Sequence, residues 1–236
     1  MYFTLNGYRF DDCTPYVYVS DDYGKTWKSI SNNIPTSAVN VIKEDSEKEN
    51  VLYLGTDNGL YVSFNQGSTW EAFSNGLPNV AVHDLVIQPK AKHLLVGTHG
   101  RSLYKANITS LQEFDNKEAV FSIKDIKKRK SWGSSWSKWL EPNTPKITIP
   151  FYVNADKEVV LEVYSDKVLV NTIKTNATKG FNEVVYDVSF SEKGRKKYLK
   201  KHKEAEIKKA KNDKYYLPKG KYKVTMGELN QTFEIK

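Results

Sequence analysis

Hydrophobic and polar residues alternate in short runs along most of this chain, which is the pattern of half-buried β-strands. In the first 106 residues, turn-forming residues separate these runs, and the runs fall into groups of three, four and three. The predicted strands are Tyr2–Leu5, Tyr16–Ser20, Trp27–Ile30, Ala38–Lys43, Val51–Thr56, Leu60–Phe64, Trp70–Phe73, Val82–Gln88, His93–Thr98 and Arg101–Lys105.

The order of these segments repeats. Residues 19–27 and 62–70 both carry Ser, Gly, Thr and Trp at equal spacing, at an offset of 43 residues. A period of roughly 40–45 residues with four short strands is typical of a β-propeller blade. Residues 1–106 are therefore predicted to form about two and a half blades. Open sheet edges would remain, so we expect missing propeller blades or a second copy of the chain as a partner.

Two copies of one motif carry a family resemblance. They read Ser20-x-Asp22-x-Gly24-x-Thr26-Trp27 and Ser63-x-Asn65-x-Gly67-x-Thr69-Trp70. Both resemble the Asp-box. The segments Asn6–Arg9, His83–Ile87 and Gly97–Tyr104 also make the chain similar to the closing blades of large bacterial proteins known as BNR-repeat glycosyl hydrolases or sortilin-type propeller proteins. A Ser/Asp pair before a Gly suits a hairpin turn, because the carboxylate can accept turn N–H groups and Gly tolerates a positive φ. The boxes are predicted to be structural and not catalytic.

The second half predicts another all-β domain. Residues 107–145 read as a connector, and residues 146–236 as an antiparallel sandwich of six or seven strands. Predicted strands here are Ile147–Val153, Val159–Tyr164, Val168–Ile173, Gly180–Val188, Lys221–Met226 and Gln231–Ile235. The segment from Gly180 to Asp187 and that from Leu217 to Val224 resemble the small Ig-like domains that end exported bacterial enzymes and flagellar hook-capping proteins.

The positive charge of the chain is concentrated in one segment. The net charge is +8, and residues 192–214 hold eleven Lys and Arg against four Asp and Glu. Most of this segment lies in a predicted inserted helix, about 191–212, whose basic face is either simply solvated or contacts an acidic partner or a membrane surface. Aromatic residues do not interleave with the lysines, so nucleic acid is not expected as a partner.

Candidate functional residues are few. The predicted loop Asn6–Pro15 is longer than its counterpart in the next blade, and long loops on rigid scaffolds often bind ligands. Its candidate ligand residues are Tyr8, Arg9, Asp11 and Asp12. Contact with the rest of the protein explains its length equally well.

The remaining candidates lie in a turn and in the connector. They are His99, Arg101, Trp132, Trp136 and Trp139. The three tryptophans either seal a seam between propeller and sandwich or form a sugar-stacking platform. The histidines lack metal-ligand spacing and Cys13 is the one cysteine, so neither a metal nor a cofactor is expected.

These patterns favour a non-catalytic scaffold or binding module that contacts polysaccharide or protein through its propeller loops. The resemblance implies that the parent protein is exported, to the periplasm, the cell surface or the medium. Neither a signal peptide nor a transmembrane segment is predicted in this chain. Two alternatives stay open: part of a glycoside hydrolase in which Asp11 or Asp12 contributes to a cleft completed by upstream blades, and an interaction protein acting through the basic helix.

Overall fold

The computed structural model describes residues 1–73 and 76–236. Its first unit, residues 1–112, contains three small antiparallel sheets. In each sheet the strands pair in chain order. The strands are β1 (Tyr2–Gly7), β2 (Asp12–Val19) and β3 (Lys28–Ser29); β4 (Val39–Glu44), β5 (Leu52–Thr56), β6 (Gly59–Ser63) and β7 (Glu71–Ala72); and β8 (Val82–Gln88), β9 (His93–Thr98) and β10 (Leu103–Asn107). The predicted grouping of three, four and three strands is confirmed.

Apolar side chains from the first two sheets share one core. Alternation within each strand directs every second side chain inward, so adjacent sheets can bury their facing sides against each other. The buried members are Val17, Ile30, Ile34, Val39, Leu52, Leu54 and Trp70. Burial is less complete on β1, where Phe3 and Leu5 remain exposed. The pairing of this unit with further blades or a second copy stays a prediction.

The second unit, residues 113–236, is a β-sandwich of two antiparallel sheets. A short helix, α1 (Thr109–Glu113), crosses the boundary between the units and was not predicted from the sequence. One sheet contains β11 (Ala119–Val120), β12 (Ile147–Val153) and β15 (Gly180–Tyr186), and the other contains β13 (Lys157–Ser165), β14 (Val168–Ala177), β16 (Gly220–Met226) and β17 (Leu229–Ile235). Their order is β11-β12-β15 and β14-β13-β16-β17. Whether the sandwich is Ig-like stays a prediction.

The predicted connector contributes to this sandwich. Ala119 and Val120 pair with Tyr152 and Phe151 of β12, so the segment adds a strand to a sheet. A single core lies between the sheets, with Ile149, Phe151, Leu161, Val163, Val224 and Ile235 among its most buried members.

The inserted helix is shorter than predicted. It spans Glu192–Lys201 as α2, with the Ser191 hydroxyl accepting the Gly194 N–H at 3.0 Å as its N-cap, so the prediction of a helix to about residue 212 is wrong in its length. Beyond His202, the partly buried side chains of Ala205 and Ile207 pack on the sandwich core. Their spacing of two residues suits an extended segment and not a helical stripe.

Candidate functional site

The first Asp-box is a closed hydrogen-bonded turn. The Ser20 hydroxyl donates to Asp22 Oδ1 at 2.8 Å and accepts the Gly24 N–H at 2.7 Å. Asp22 also accepts the Thr26 N–H at 2.8 Å and the Thr26 hydroxyl at 2.6 Å. Gly24 has a φ of +84°, a conformation that favours glycine. Both carboxylate oxygens therefore brace the turn, as the sequence predicts.

The second box keeps this geometry although Asn replaces Asp. Ser63 donates to Asn65 Oδ1 at 3.0 Å and accepts the Gly67 N–H at 2.8 Å. Asn65 Oδ1 accepts the Thr69 N–H at 2.9 Å, and its amide nitrogen donates to the Thr69 hydroxyl at 2.9 Å. The direction of the Thr69 hydroxyl bond is thus reversed relative to Thr26, which a hydroxyl permits because it both donates and accepts.

The two boxes differ in how their tryptophans are surrounded. Trp70 is 4% exposed, and its indole N–H donates to the Ile30 carbonyl at 2.8 Å. Asn33 brackets the Trp70 backbone by accepting its N–H and donating to its carbonyl, each at 2.8 Å. Trp27, at the equivalent position, is 41% exposed and lies against Phe3 with ring centroids 5.5 Å apart. Hydrogen bonds with Ile30 and Asn33, which directly follow the first sheet in the chain, therefore hold the second box in place.

A pH-dependent contribution to stability is expected from the first box. Hydrogen bonds from Thr26, with its hydroxyl first, lower the pKa of Asp22 from 3.8 to about 2. A carboxyl whose pKa is lowered by folding stabilises the fold above its ordinary pKa, and this contribution is lost as the pH falls through the folded value. We expect thermal midpoints of the wild type and Asp22→Asn to differ at pH 7 and to converge toward pH 2.

Asn65 supplies the matched control for this experiment. Because the second box folds with an amide, Asp22→Asn should keep most of the turn, whereas Asn65→Ala should cost about 1–2 kcal/mol by removing the acceptor of the Thr69 N–H. An Asp22→Asn protein as unstable at pH 7 as Asp22→Ala would show that the amide cannot replace the carboxylate there.

The predicted loop Asn6–Pro15 is a hairpin. Strand β1 runs to Gly7 and pairs with Asp12 at the start of β2, and only a short 3₁₀ turn, Tyr8–Phe10, and Asp11 lie between them. The prediction of a ten-residue loop is therefore wrong. The end of β1 and the start of β2 were missed because this segment is polar and contains Pro15, which are features typical of a loop.

The candidate ligand residues of this hairpin do not act as one group. Tyr8, Arg9 and Asp11 are exposed, and Asp11 has a φ of +61°. Asp12 accepts the Thr14 N–H at 2.9 Å and the Tyr16 hydroxyl at 2.8 Å. Hydrogen bonding from the Thr14 side chain first, then from the Thr14 N–H and the Tyr16 hydroxyl, lowers the pKa of Asp12. Asp12 is thus an ionised turn acceptor, which does not suit the protonated acid of a glycoside hydrolase.

His99 and Arg101 are exposed residues in the turn between β9 and β10. The His99 N–H donates to the Ala81 carbonyl at 2.9 Å, and its ring lies 5.5 Å from that of His83. In the described part of the chain, no group of three or more His, Cys, Asp or Glu is arranged to hold a metal ion.

The three tryptophans of the predicted connector separate into two environments. Trp132 is buried in the sandwich core, edge-on to Tyr216 with ring centroids 5.9 Å apart. Trp136 and Trp139 are 91% and 83% exposed. Their role as a seam between the units stays a prediction.

The loop that carries Trp136 and Trp139, residues 131–143, is tied at its base. The Gly133 N–H donates to the Asn143 carbonyl at 2.8 Å, and the Asn143 N–H donates to the Ser134 carbonyl at 2.9 Å. The Asn143 amide also donates to the Ser131 hydroxyl at 2.8 Å. We call this segment the tryptophan loop. From this hydrogen-bonded base the loop presents two indole rings to solvent.

A basic cleft next to the base of this loop was missed by sequence reasoning. Its walls are the segments 128–130 and 206–210, and its volume is about 460 Å³. The lysine and arginine run at 127–130 was the available signal, but the sequence could not show that it faces lysines about 80 residues away.

Comparison with protein families identifies the chain. The family model named Sortilin-Vps10, described as sortilin, neurotensin receptor 3, matches residues 15–210. The chain belongs to the Sortilin-Vps10 family. The match begins in β2 of the first sheet and extends into the sandwich, so this family assignment covers parts of both units.

Solved structures give a coarser likeness. Two structures of one extracellular domain from B. thetaiotaomicron, described in one as that of a hybrid two-component system and in the other as that of a one-component system, are each 9% identical to this chain, with TM-scores of 0.30 and 0.31. The matches cover 99% of this chain and 30% of each of those chains. No curated protein matches. In the described ranges, 1–73 and 76–236, no helix is long and apolar enough to cross a membrane.

Proposed function

We propose that this Sortilin-Vps10 family chain is a non-catalytic binding module of an exported protein, and that it holds polysaccharide through the tryptophan loop. One observation carries the proposal: Trp136 and Trp139 are 91% and 83% exposed on a loop whose base is fixed by hydrogen bonds. Large exposed aromatic side chains mark interaction sites, and indole faces pack well on apolar faces of a ligand.

The geometry of the first unit supports binding over hydrolysis. Both Asp22 oxygens hold a turn, and so do both oxygens of Asp12. The binding surface is therefore proposed on the tryptophan loop and not on the propeller hairpin. The hydrolase alternative, with Asp11 or Asp12 in a cleft completed elsewhere, is left without a specific observation in its favour.

The experiment compares polysaccharide binding by the wild type, Trp136→Ala and Trp139→Ala, using affinity electrophoresis through gels that contain dextran, xylan or polygalacturonate. We expect each substitution to weaken binding at least about tenfold, because a stacked tryptophan commonly contributes 2 kcal/mol or more at a binding site. Folding should be unaffected, since both rings are exposed.

Tyr23→Ala is the matched control. Tyr23 is 94% exposed, but it lies in the first Asp-box and not in the tryptophan loop. Loss of binding in Tyr23→Ala with retention in both tryptophan variants would place the site on the propeller and overturn the proposal. If none of the gels retards the wild-type protein, the proposal that polysaccharide is the ligand is overturned.

A further inference from the structure

The basic cleft holds an excess of positive charge that the protein does not neutralise. Six cationic side chains line it, from Lys128, Arg129, Lys130, Lys208, Lys209 and Lys219, against one carboxylate, from Glu206. Glu206 already pairs with Lys208 at 3.3 Å, and Asp213 pairs with Lys209 at 2.6 Å. Within the described residues, the other four cations have no carboxylate within 4.0 Å. A fixed anion is therefore the complement that this cleft lacks.

Lys128 is the most confined of these cations. Its ammonium donates to the Leu217 carbonyl at 2.7 Å and lies 4.4 Å from the centroid of the Trp132 ring. Burial lowers its pKa from 10.5 to about 8. Removing an ammonium from water disfavours its charged form, and a nearby anion offsets that cost. An oxyanion in the cleft would thus interact with a charge that is only partly solvated.

The walls of the cleft are held in place by backbone contacts. The Lys128 N–H donates to the Lys236 carbonyl at 2.7 Å, and the Asn212 N–H donates to the Gly133 carbonyl at 3.0 Å. Gly133 has a φ of +73°, and a Cβ there would lie only 2.4 Å from the Cβ of Ala210. The base of the tryptophan loop is therefore packed against the 206–210 wall so closely that glycine is required at position 133, which preorganises this side of the site.

We propose that this cleft binds an acidic sugar unit, one that carries a carboxylate or sulfate, within the polysaccharide held by the tryptophan loop. The proposal rests on the proposed function and adds the charge class of the ligand. The cleft volume of about 460 Å³ lies within the usual range of small-ligand sites, about 300–1,000 Å³. The tryptophan loop begins at the same wall, since Gly133 contacts Ala210 and Trp136 follows three residues later.

The cleft suits a sugar better than a nucleic acid. The two rings that line the cleft itself, Trp132 and Tyr216, are buried in the sandwich core, so no base could stack among the cations. Trp136 and Trp139 lie outside the cleft on the tryptophan loop, and the DNA probe below tests whether they favour bases over sugars. The cleft's concave shape likewise suits a polymer side group more than a membrane surface.

The test uses the full chain and a triple variant, Arg129→Gln, Lys130→Gln and Lys219→Gln, which alters only exposed side chains. Probes are polygalacturonate, dextran sulfate, neutral dextran, galacturonic acid, inorganic sulfate and duplex DNA, measured by isothermal calorimetry at low and moderate salt. We expect the triple variant to bind one of the two acidic polysaccharides at least about tenfold more weakly, because it removes three cations that could make charge-assisted hydrogen bonds to the anion. Its binding of neutral dextran should match that of the wild type. The carboxylated and sulfated probes distinguish the two anions, and the small probes distinguish a polymer unit from a free anion.

A charge-matched control is available on the helix. Lys193→Gln, Lys196→Gln and Lys197→Gln remove the same charge from exposed sites of α2, outside the cleft. Equal losses in both triple variants, or equal binding of DNA and acidic polysaccharide through the cleft residues, would show nonspecific attraction and overturn the proposal. If the wild type binds only neutral dextran tightly, the proposal of an acidic ligand is overturned, whereas the role proposed for the tryptophan loop stands. Binding of no polysaccharide at all would instead reject the proposed function.

Discussion

Trp70→Ala is expected to destabilise the first unit by about 3–5 kcal/mol, the usual cost of removing a buried tryptophan from a core. Trp70 is 4% exposed and packs with side chains of the first and second sheets. Its substitution also leaves the Ile30 carbonyl without the indole donor that lies 2.8 Å away. The first and second sheets should therefore lose much of the side-chain packing and hydrogen bonding between them.

Trp27→Ala is the matched control, since Trp27 holds the same position of the other Asp-box. It is 41% exposed, so we expect a cost of about 1 kcal/mol from the smaller apolar area that it buries. Urea unfolding of the full chain, followed by far-ultraviolet circular dichroism, measures both. Equal costs would mean that the two boxes are equally embedded, contrary to the structure.

Gly194→Ala is expected to destabilise the sandwich, although alanine is the better helix former. A Cβ on Gly194 would lie 2.0 Å from the Val170 carbonyl oxygen and 2.5 Å from its carbon, both backbone atoms of β14. In a free helix the change would stabilise by about 1 kcal/mol. Here helix α2 must move off the strand, and overpacking of this kind costs about 1–3 kcal/mol.

The N-cap residue of helix α2 also donates hydrogen bonds to the same carbonyl. The Ser191 N–H and hydroxyl donate to the Val170 carbonyl at 3.0 and 3.1 Å, so displacement of α2 breaks its own N-cap anchor. Lys193→Ala, on the exposed side of the same turn, should change the free energy of unfolding by less than about 0.5 kcal/mol. Calorimetric unfolding distinguishes the two variants. A stabilised Gly194→Ala protein would show that α2 does not dock closely on β14.

Periodicity predicted the strands because alternation is a local property of the sequence. Val82–Gln88 and His93–Thr98 match the predicted bounds. The length of helix α2 was missed because many lysines are compatible with either a helix or an extended segment. Only the tertiary contacts of Ala205 and Ile207 decide between them.

Other features depend on residues far apart in the sequence. Nothing local distinguishes Trp27 from Trp70, because Trp70 is held by hydrogen bonds with Ile30 and Asn33, about 40 residues earlier in the chain. The basic cleft likewise forms where the segment around Lys128 faces that around Lys209. Such pairings follow from the topology of each unit, which local composition and spacing do not reveal.

The central claim, that this chain binds polysaccharide without cleaving it, is tested most directly by incubating the full chain with immobilised polygalacturonate and, in parallel, with immobilised dextran sulfate. Retention of protein and release of reducing ends are measured on the same samples. The account predicts retention on at least one of the two, weakened by Trp136→Ala, with no reducing ends above the protein-free control on either. Release of reducing ends by the wild type, or retention unchanged by Trp136→Ala and Trp139→Ala, would contradict it.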